Sequence, residues 1–252
     1  MDFTLLPETA AIFMLIFARI GTMVMLMPGF GERGVPTRIR LSIAVLLTLM
    51  YFPLVSGNYK VDTALPAMLT ALAGELAVGL VVGGTGRMLM SGLSTAGTVI
   101  ANQLGLAAVL TTDPTQGGQG AIFSGFLSLL AVTLIFATDL HHLVLAALFD
   151  SYKFFAPGTM PFTGDAAKLI LDTIAGAFKI AIQISAPFLL FGLVFNAGLG
   201  VLGKLMPQMQ VFFVAMPVTI VLGLVLFALV MGALMGVYMD YLKAGLSPFI
   251  AR

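Results

Sequence analysis

Long runs of apolar positions, separated by short polar segments, dominate the chain. Seven apolar stretches stand out: 9–30, 41–56, 66–86, 88–110, 120–149, 170–203 and 208–239. A helix that crosses a membrane needs about 20 mostly apolar residues, so this pattern predicts repeated crossings. The second stretch is short. The fifth and sixth are too long for one straight crossing, and Pro187 and Asn196 inside the sixth are expected to break or kink it. The fold class that follows is all-α: a polytopic integral membrane protein forming a single membrane-embedded domain over residues 1–252.

Composition sharpens this. Of 252 residues, 60% are hydrophobic and 9% charged, and the mean hydropathy is +1.08. A soluble domain carries roughly 25% charged residues, and it cannot hide this much apolar surface. A soluble enzyme and a disordered or fibrous chain are therefore excluded. A net charge of +1 provides no pull toward nucleic acid. The absence of cysteine removes disulfides, thiolate metal sites, iron–sulfur clusters and cysteine nucleophiles.

Charges at the stretch ends predict orientation. Residues 31–40 carry Arg33, Arg38 and Arg40 against Glu32, and the first eight residues carry Asp2 and Glu8. The positive-inside rule places residues 31–40 and the C-terminus in the cytoplasm and the N-terminus outside, although Lys204 fits this poorly. The start, Met1-Asp2-Phe3-Thr4, does not resemble a cleavable signal peptide. Tyr51, Tyr59, Tyr152, Tyr238 and Tyr241 lie at stretch boundaries, where amphipathic rings are expected at the membrane–water interface.

Three charges lie inside apolar stretches: Arg19, Glu75 and Arg87. A central arginine costs about 2.5–3.5 kcal/mol on insertion scales, so Arg19 is expected to face protein. Glu75 and Arg87 stand too far apart along one helical stretch to pair with each other, at about 1.5 Å rise per residue. Each needs a partner from another helix or another subunit. The residue types allow a structural ion pair, a proton or ion relay, or snorkelling to the interface.

Several motifs imitate chemistry. Gly198-Leu199-Gly200-Val201-Leu202-Gly203 spells GxGxxG, but it sits in an apolar helical run with no acidic residue between Asp172 and Asp240, so close helix packing or a bend is expected there. Gly79–Gly83 and Gly232–Gly236 are GxxxG pairs with the same packing reading. Asp139, His141 and His142 lack the spacing of a helical zinc site, and adjacent histidines point to different helix faces. A polar patch at a helix end is expected, with no metal and no cofactor. Sixteen methionines, including Met23, Met25, Met27, Met88, Met90, Met206 and Met209, suit core filling or a deformable lining.

One polar segment interrupts the pattern: Thr111, Thr112, Asp113, Pro114, Thr115, Gln116, Gly117, Gly118, Gln119 and Gly120. Apolar arms flank it. It reads as a connecting loop or as a polar loop at membrane depth that lines or closes a passage. Non-helical backbone is tolerated at that depth only when buried in protein or facing water.

Taken together, these residues resemble the FliR family of flagellar export-gate subunits, whose counterparts serve virulence type III secretion. The carriers are Arg19-Ile20-Gly21 through Pro28-Gly29-Phe30-Gly31; Val35-Pro36-Thr37-Arg38-Ile39-Arg40; Gly74-Glu75-Leu76 with Gly79 and Gly83; Ala96-Gly97 with Gln103 and Gly105; Asp113-Pro114; His141-His142; Ala186-Pro187; Asn196-Ala197-Gly198; and Met206-Pro207-Gln208-Met209-Gln210-Val211-Phe212 with Pro217. The glycine-rich Gln116–Gln119 departs from the family pattern. The resemblance implies a structural subunit, not an enzyme, in kinked helical hairpins packed in a hetero-oligomeric gate in the bacterial inner membrane at the flagellar basal body. It implies other gate subunits as partners, unfolded flagellar proteins as cargo, lipid around the helices, and no nucleic acid. It implies that residues 111–120 are the plug that seals the resting pore, and that neighbouring subunits supply partners for Arg19, Glu75 and Arg87. It also implies a gate that rises out of the membrane plane. The runner-up is a small-molecule or ion transporter with Arg19, Glu75 and Arg87 in a midplane site. A membrane enzyme stands third.

Overall fold

Long apolar runs build helices throughout the computed structural model, which describes residues 5–32, 34–59, 64–105, 120–159, 163–206 and 211–250. Among the described residues these are α1 Leu5–Leu26, α2 Thr37–Val55, α3 Leu65–Gln103, α4 Gly120–Ala137, α5 Leu140–Phe154, α6 Thr163–Leu205 and α7 Val211–Leu246, with short 3-10 turns at Ser56–Asn58 and Ser247–Phe249. Five helices are long and apolar enough to cross a membrane, or six spans if α4 and α5, which meet at 81°, count as one. The protein is an all-α, polytopic membrane protein.

The seven stretches do not map one to one onto helices. The third and fourth are a single helix, because Arg87 is an ordinary residue within α3 and no helix breaker follows it. The fifth is two helices, broken where Asp139 adopts a left-handed backbone with φ 58°. The sixth, where Pro187 and Asn196 are expected to break or kink the chain, is not broken and runs on as α6. One proline removes one hydrogen bond, whereas a full break would expose many backbone groups in an apolar setting. Helix α3 has 39 residues, α6 has 43 and α7 has 36. At about 1.5 Å per residue they run about 58, 64 and 54 Å, well beyond a hydrocarbon core of about 30 Å.

The chain divides into two compact units. The first comprises residues 1–89, 135–174 and 242–252. Its centre is one stripe of α1, formed by Leu15, Ile16, Ile20, Met23 and Val24, with Met27 just after the helix, all buried. Against it lies the α3 face bearing Val78 and Val82. The approach is close: a Cβ on Gly79 would stand 2.8 Å from Thr22 Cβ and 3.0 Å from the Arg19 carbonyl, and one on Gly83 3.0 Å from Met23 Cα. This first GxxxG pair packs as its spacing predicts. Helix α2 also packs on α1, turning Ala44, Thr48, Tyr51 and Val55 inward. Gly29, at φ 82°, lets the chain turn after α1, and Phe30 meets Phe136 edge-on at 6.0 Å. The turn Ser247–Phe249 packs on α5.

The second unit comprises residues 90–134 and 175–241. Phe227 of α7 gathers Phe123, Phe126 and Phe188 at ring distances of 5.1, 6.1 and 5.9 Å. Tyr238 is fully buried and donates its hydroxyl hydrogen bond to Met90 Sδ at 3.0 Å. The second glycine pair, Gly232–Gly236, has no described atom within 4 Å of the space a Cβ would fill, and neither do Gly198, Gly200 and Gly203. The close packing expected of those glycines is therefore not made within the described chain. The tyrosines also differ from expectation: Tyr51, Tyr59, Tyr152 and Tyr238 are buried inside their units instead of facing an interface.

Candidate functional site

Arg19 projects from the middle of α1 and is completely buried. So is Glu75, on the part of α3 that lies across from it. Arg19 Nε donates to Glu75 Oε2 at 2.5 Å. Arg19 Nη1 donates to two carbonyls at the C-terminal end of α5, Phe155 at 3.0 Å and Ser151 at 3.3 Å. Those carbonyls belong to the negative end of a helix, where a cation is favoured. The guanidinium also lies 4.3 Å from the centre of the Tyr152 ring. The second carboxylate oxygen is taken as well: Gly158 N donates to Glu75 Oε1 at 2.7 Å. Gly158 reaches it by a left-handed turn at φ 72°, the one backbone position here that calls for glycine.

The arrangement neutralises two buried charges and spends most of their hydrogen-bonding capacity. It joins α1, α3 and the chain leaving α5 at one point. Arg19 Nη2 is buried without a hydrogen-bond partner among the described residues, and the Tyr59 hydroxyl stands beside the Tyr152 and Glu75 oxygens. Burial raises the Tyr59 phenol pKa above its ordinary value, with the Tyr152 and Glu75 oxygens adding to the effect.

The expectation that neighbouring subunits supply these partners is corrected. Arg19 and Glu75 pair within the chain, because α1 and α3 approach closely at Gly79, one helical turn beyond Glu75. Arg87 does not join them. Its Nη1 lies 3.4 Å from both Glu32 oxygens, its side chain is 42% exposed, and Glu32 follows the turn after α1. An ion pair that open contributes about 0–1 kcal/mol. Of the predicted plug, residues 111–119 lie outside the described residues, and Gly120 is the first residue of α4.

The GxGxxG run lies wholly within α6, so it forms no strand-to-helix turn of the dinucleotide-binding kind. The histidine pair departs from its expected geometry. The rings of His141 and His142 do not diverge; their centres are 4.1 Å apart. The ligand atoms of Asp139, His141 and His142 all lie within 4.8 Å of one another. Left-handed Asp139 stands just before the helix and brings its carboxylate beside the two rings. Sequence reasoning missed Ser151, Tyr152, Phe155 and Gly158, three of which act through backbone atoms that leave no mark in residue type.

Comparison with known proteins covers almost the whole chain. The sequence profile of bacterial export proteins, family 1, matches residues 10–245. The chain is 41% identical over 232 residues to the flagellar biosynthetic protein FliR of Caulobacter vibrioides, covering 90% of each. It is 28% identical to the protein of the same name from Bacillus subtilis, covering 88% of this chain and 86% of that one. It is 24% identical over 184 residues to Yop proteins translocation protein T of Yersinia pestis, covering 71% and 70%.

Proposed function

Because the chain belongs to the bacterial export proteins, family 1, and is an inner-membrane component of the flagellar type III export apparatus, we propose that it acts there as a non-enzymatic structural subunit of the gate. It assembles with other export-apparatus components. In this reading it helps form the channel through which unfolded flagellar proteins leave the cytoplasm, and residues 111–120 plug that channel at rest. Its outward apolar side chains, such as Leu190, Val194, Val221 and Leu229, meet lipid and partner subunits.

The observation that carries this reading over the transporter alternative is the closure of the Arg19–Glu75 pair. A midplane substrate site needs charges that face a cavity. Here both charges are fully buried and committed to each other and to backbone groups, and Arg87 faces Glu32 instead.

Deleting residues 115–120 tests the plug. The expected outcome is normal assembly, raised small-solute entry in non-secreting cells, and export retained in whole or part. A segment without aliphatic or aromatic side chains offers little apolar surface to bury, so its displacement is expected to cost little. Wild-type permeability in complexes shown to assemble refutes it.

A further inference from the structure

We infer that Asp139, His141 and His142 form a binding site for a divalent transition-metal ion at the elbow between α4 and α5. The donor set is two imidazoles and one carboxylate, brought together by three features.

The first is the backbone. Asp139 is the one residue other than glycine with positive φ among the described residues. Aspartate is among the few residue types that visit this region. The conformation turns the chain sharply and sets the carboxylate beside the first turn of α5. The second is what Asp139 does not do. It occupies the N-cap position of α5, yet its side chain makes no capping hydrogen bond, although capping is the ordinary use of aspartate there. One of its oxygens instead lies 3.9 Å from His142 Nδ1. The third is the held geometry of the rings. Phe136 stacks against His141, with centres 5.2 Å apart and planes at 30°. The Nδ1 of His141 is buried with no hydrogen-bond partner among the described residues. His142 lies beside it, its Nδ1 3.3 Å from the Asp139 carbonyl oxygen.

Nitrogen and oxygen donors within 4.8 Å need only small side-chain rotations to reach one ion at metal–ligand distances of about 2.0–2.2 Å. Two imidazoles with one carboxylate suit zinc, nickel, cobalt or copper. Calcium and magnesium are disfavoured, since they take about six or more oxygen ligands, waters included, and only one carboxylate is offered. Asp139 and His142 are solvent-exposed, at 79% and 70% of their side chains, so an ion can enter, and water completes its coordination. All three ligands stand at the start of α5, so a bound ion ties left-handed Asp139 to the first turn of that helix.

The test uses the full chain without a polyhistidine tag, purified in detergent. Cobalt(II) is titrated and followed by its visible absorption bands, and zinc by calorimetry. The expected result is one ion per chain. The double variant His141→Ala/His142→Ala loses binding. Asp139→Asn, which keeps a residue tolerant of left-handed backbone, weakens binding about tenfold or more. Circular dichroism checks that the helices persist. If the double variant does not fold, His142→Ala alone is compared with wild type. Equal titrations for wild type and the folded variants, or no uptake by wild type, overturn the inference.

Discussion

Replacing Glu75 with alanine removes one member of a pair in which both side chains are completely buried. The change deletes the 2.5 Å contact with Arg19 Nε and the 2.7 Å acceptor of the Gly158 amide. Arg19 keeps the Ser151 and Phe155 carbonyls and the Tyr152 ring, but no anion opposes it. Stranding one member of a buried pair costs about 3–5 kcal/mol. That is a large part of the roughly 5–15 kcal/mol that holds a domain folded, and at about 1.4 kcal/mol per factor of ten it shifts the folding equilibrium by roughly two to three and a half powers of ten. The expected outcome is a low yield of chain and assembled complex, with near-normal secretion per complex that does assemble. The double change Arg19→Met/Glu75→Leu removes both charges. It should recover part of the loss, though not all, because the Phe155 carbonyl and the Gly158 amide lose their partners. The assay measures assembled complex and secreted protein side by side, together with thermal melting in detergent. Unchanged melting refutes the energetic argument. Intact complexes that secrete nothing refute the structural role and point to proton movement by the carboxylate.

Gly83→Ile pushes a branched side chain onto Met23 Cα, which already lies 3.0 Å from the place of a Cβ. It should cost about 1–3 kcal/mol by overpacking, read as a lower melting temperature. Gly232→Ala and Gly236→Ala meet open space in the chain and should gain about 0.5–1 kcal/mol each from helix propensity. A loss of complex yield from either would instead reveal a partner packed against that face. Tyr59 has a raised pKa because burial disfavours its phenolate. Its contribution is therefore complete below an ordinary phenol pKa of about 10 and is lost as pH rises above it. Melting compared at pH 9 and 11.5 should fall less in Tyr59→Phe than in wild type; equal losses contradict this.

The apolar runs and their lengths made the all-α membrane class legible, and the charges inside apolar stretches made burial of Arg19 and Glu75 legible, but not that each is the other's partner. What escaped had local causes. Arg87 looked like a boundary because charge marks helix ends in soluble proteins, yet a residue paired with Glu32 and partly exposed interrupts nothing. Pro187 looked like a breaker, but α6 runs through it. The real break, at Asp139, depends on one left-handed residue. Tyr59 and Tyr152 looked interfacial because a ring with one polar tip suits water. It also suits a buried ion pair, beside which both are placed.

The contacts around Arg19 also set a schedule for synthesis. Glu75 follows Arg19 by 56 residues, and Phe155 follows it by 136. Chains emerge at about 5–20 residues per second, so the carboxylate arrives roughly 3–11 s after the arginine and the last carbonyl roughly 7–27 s after it. Through that interval α1 holds a cation without its counterion in or beside the bilayer, at a cost of about 2.5–3.5 kcal/mol. Newborn α1 is therefore expected to carry that cost until α3 emerges, and the site around Arg19 is complete only after α5 has been made.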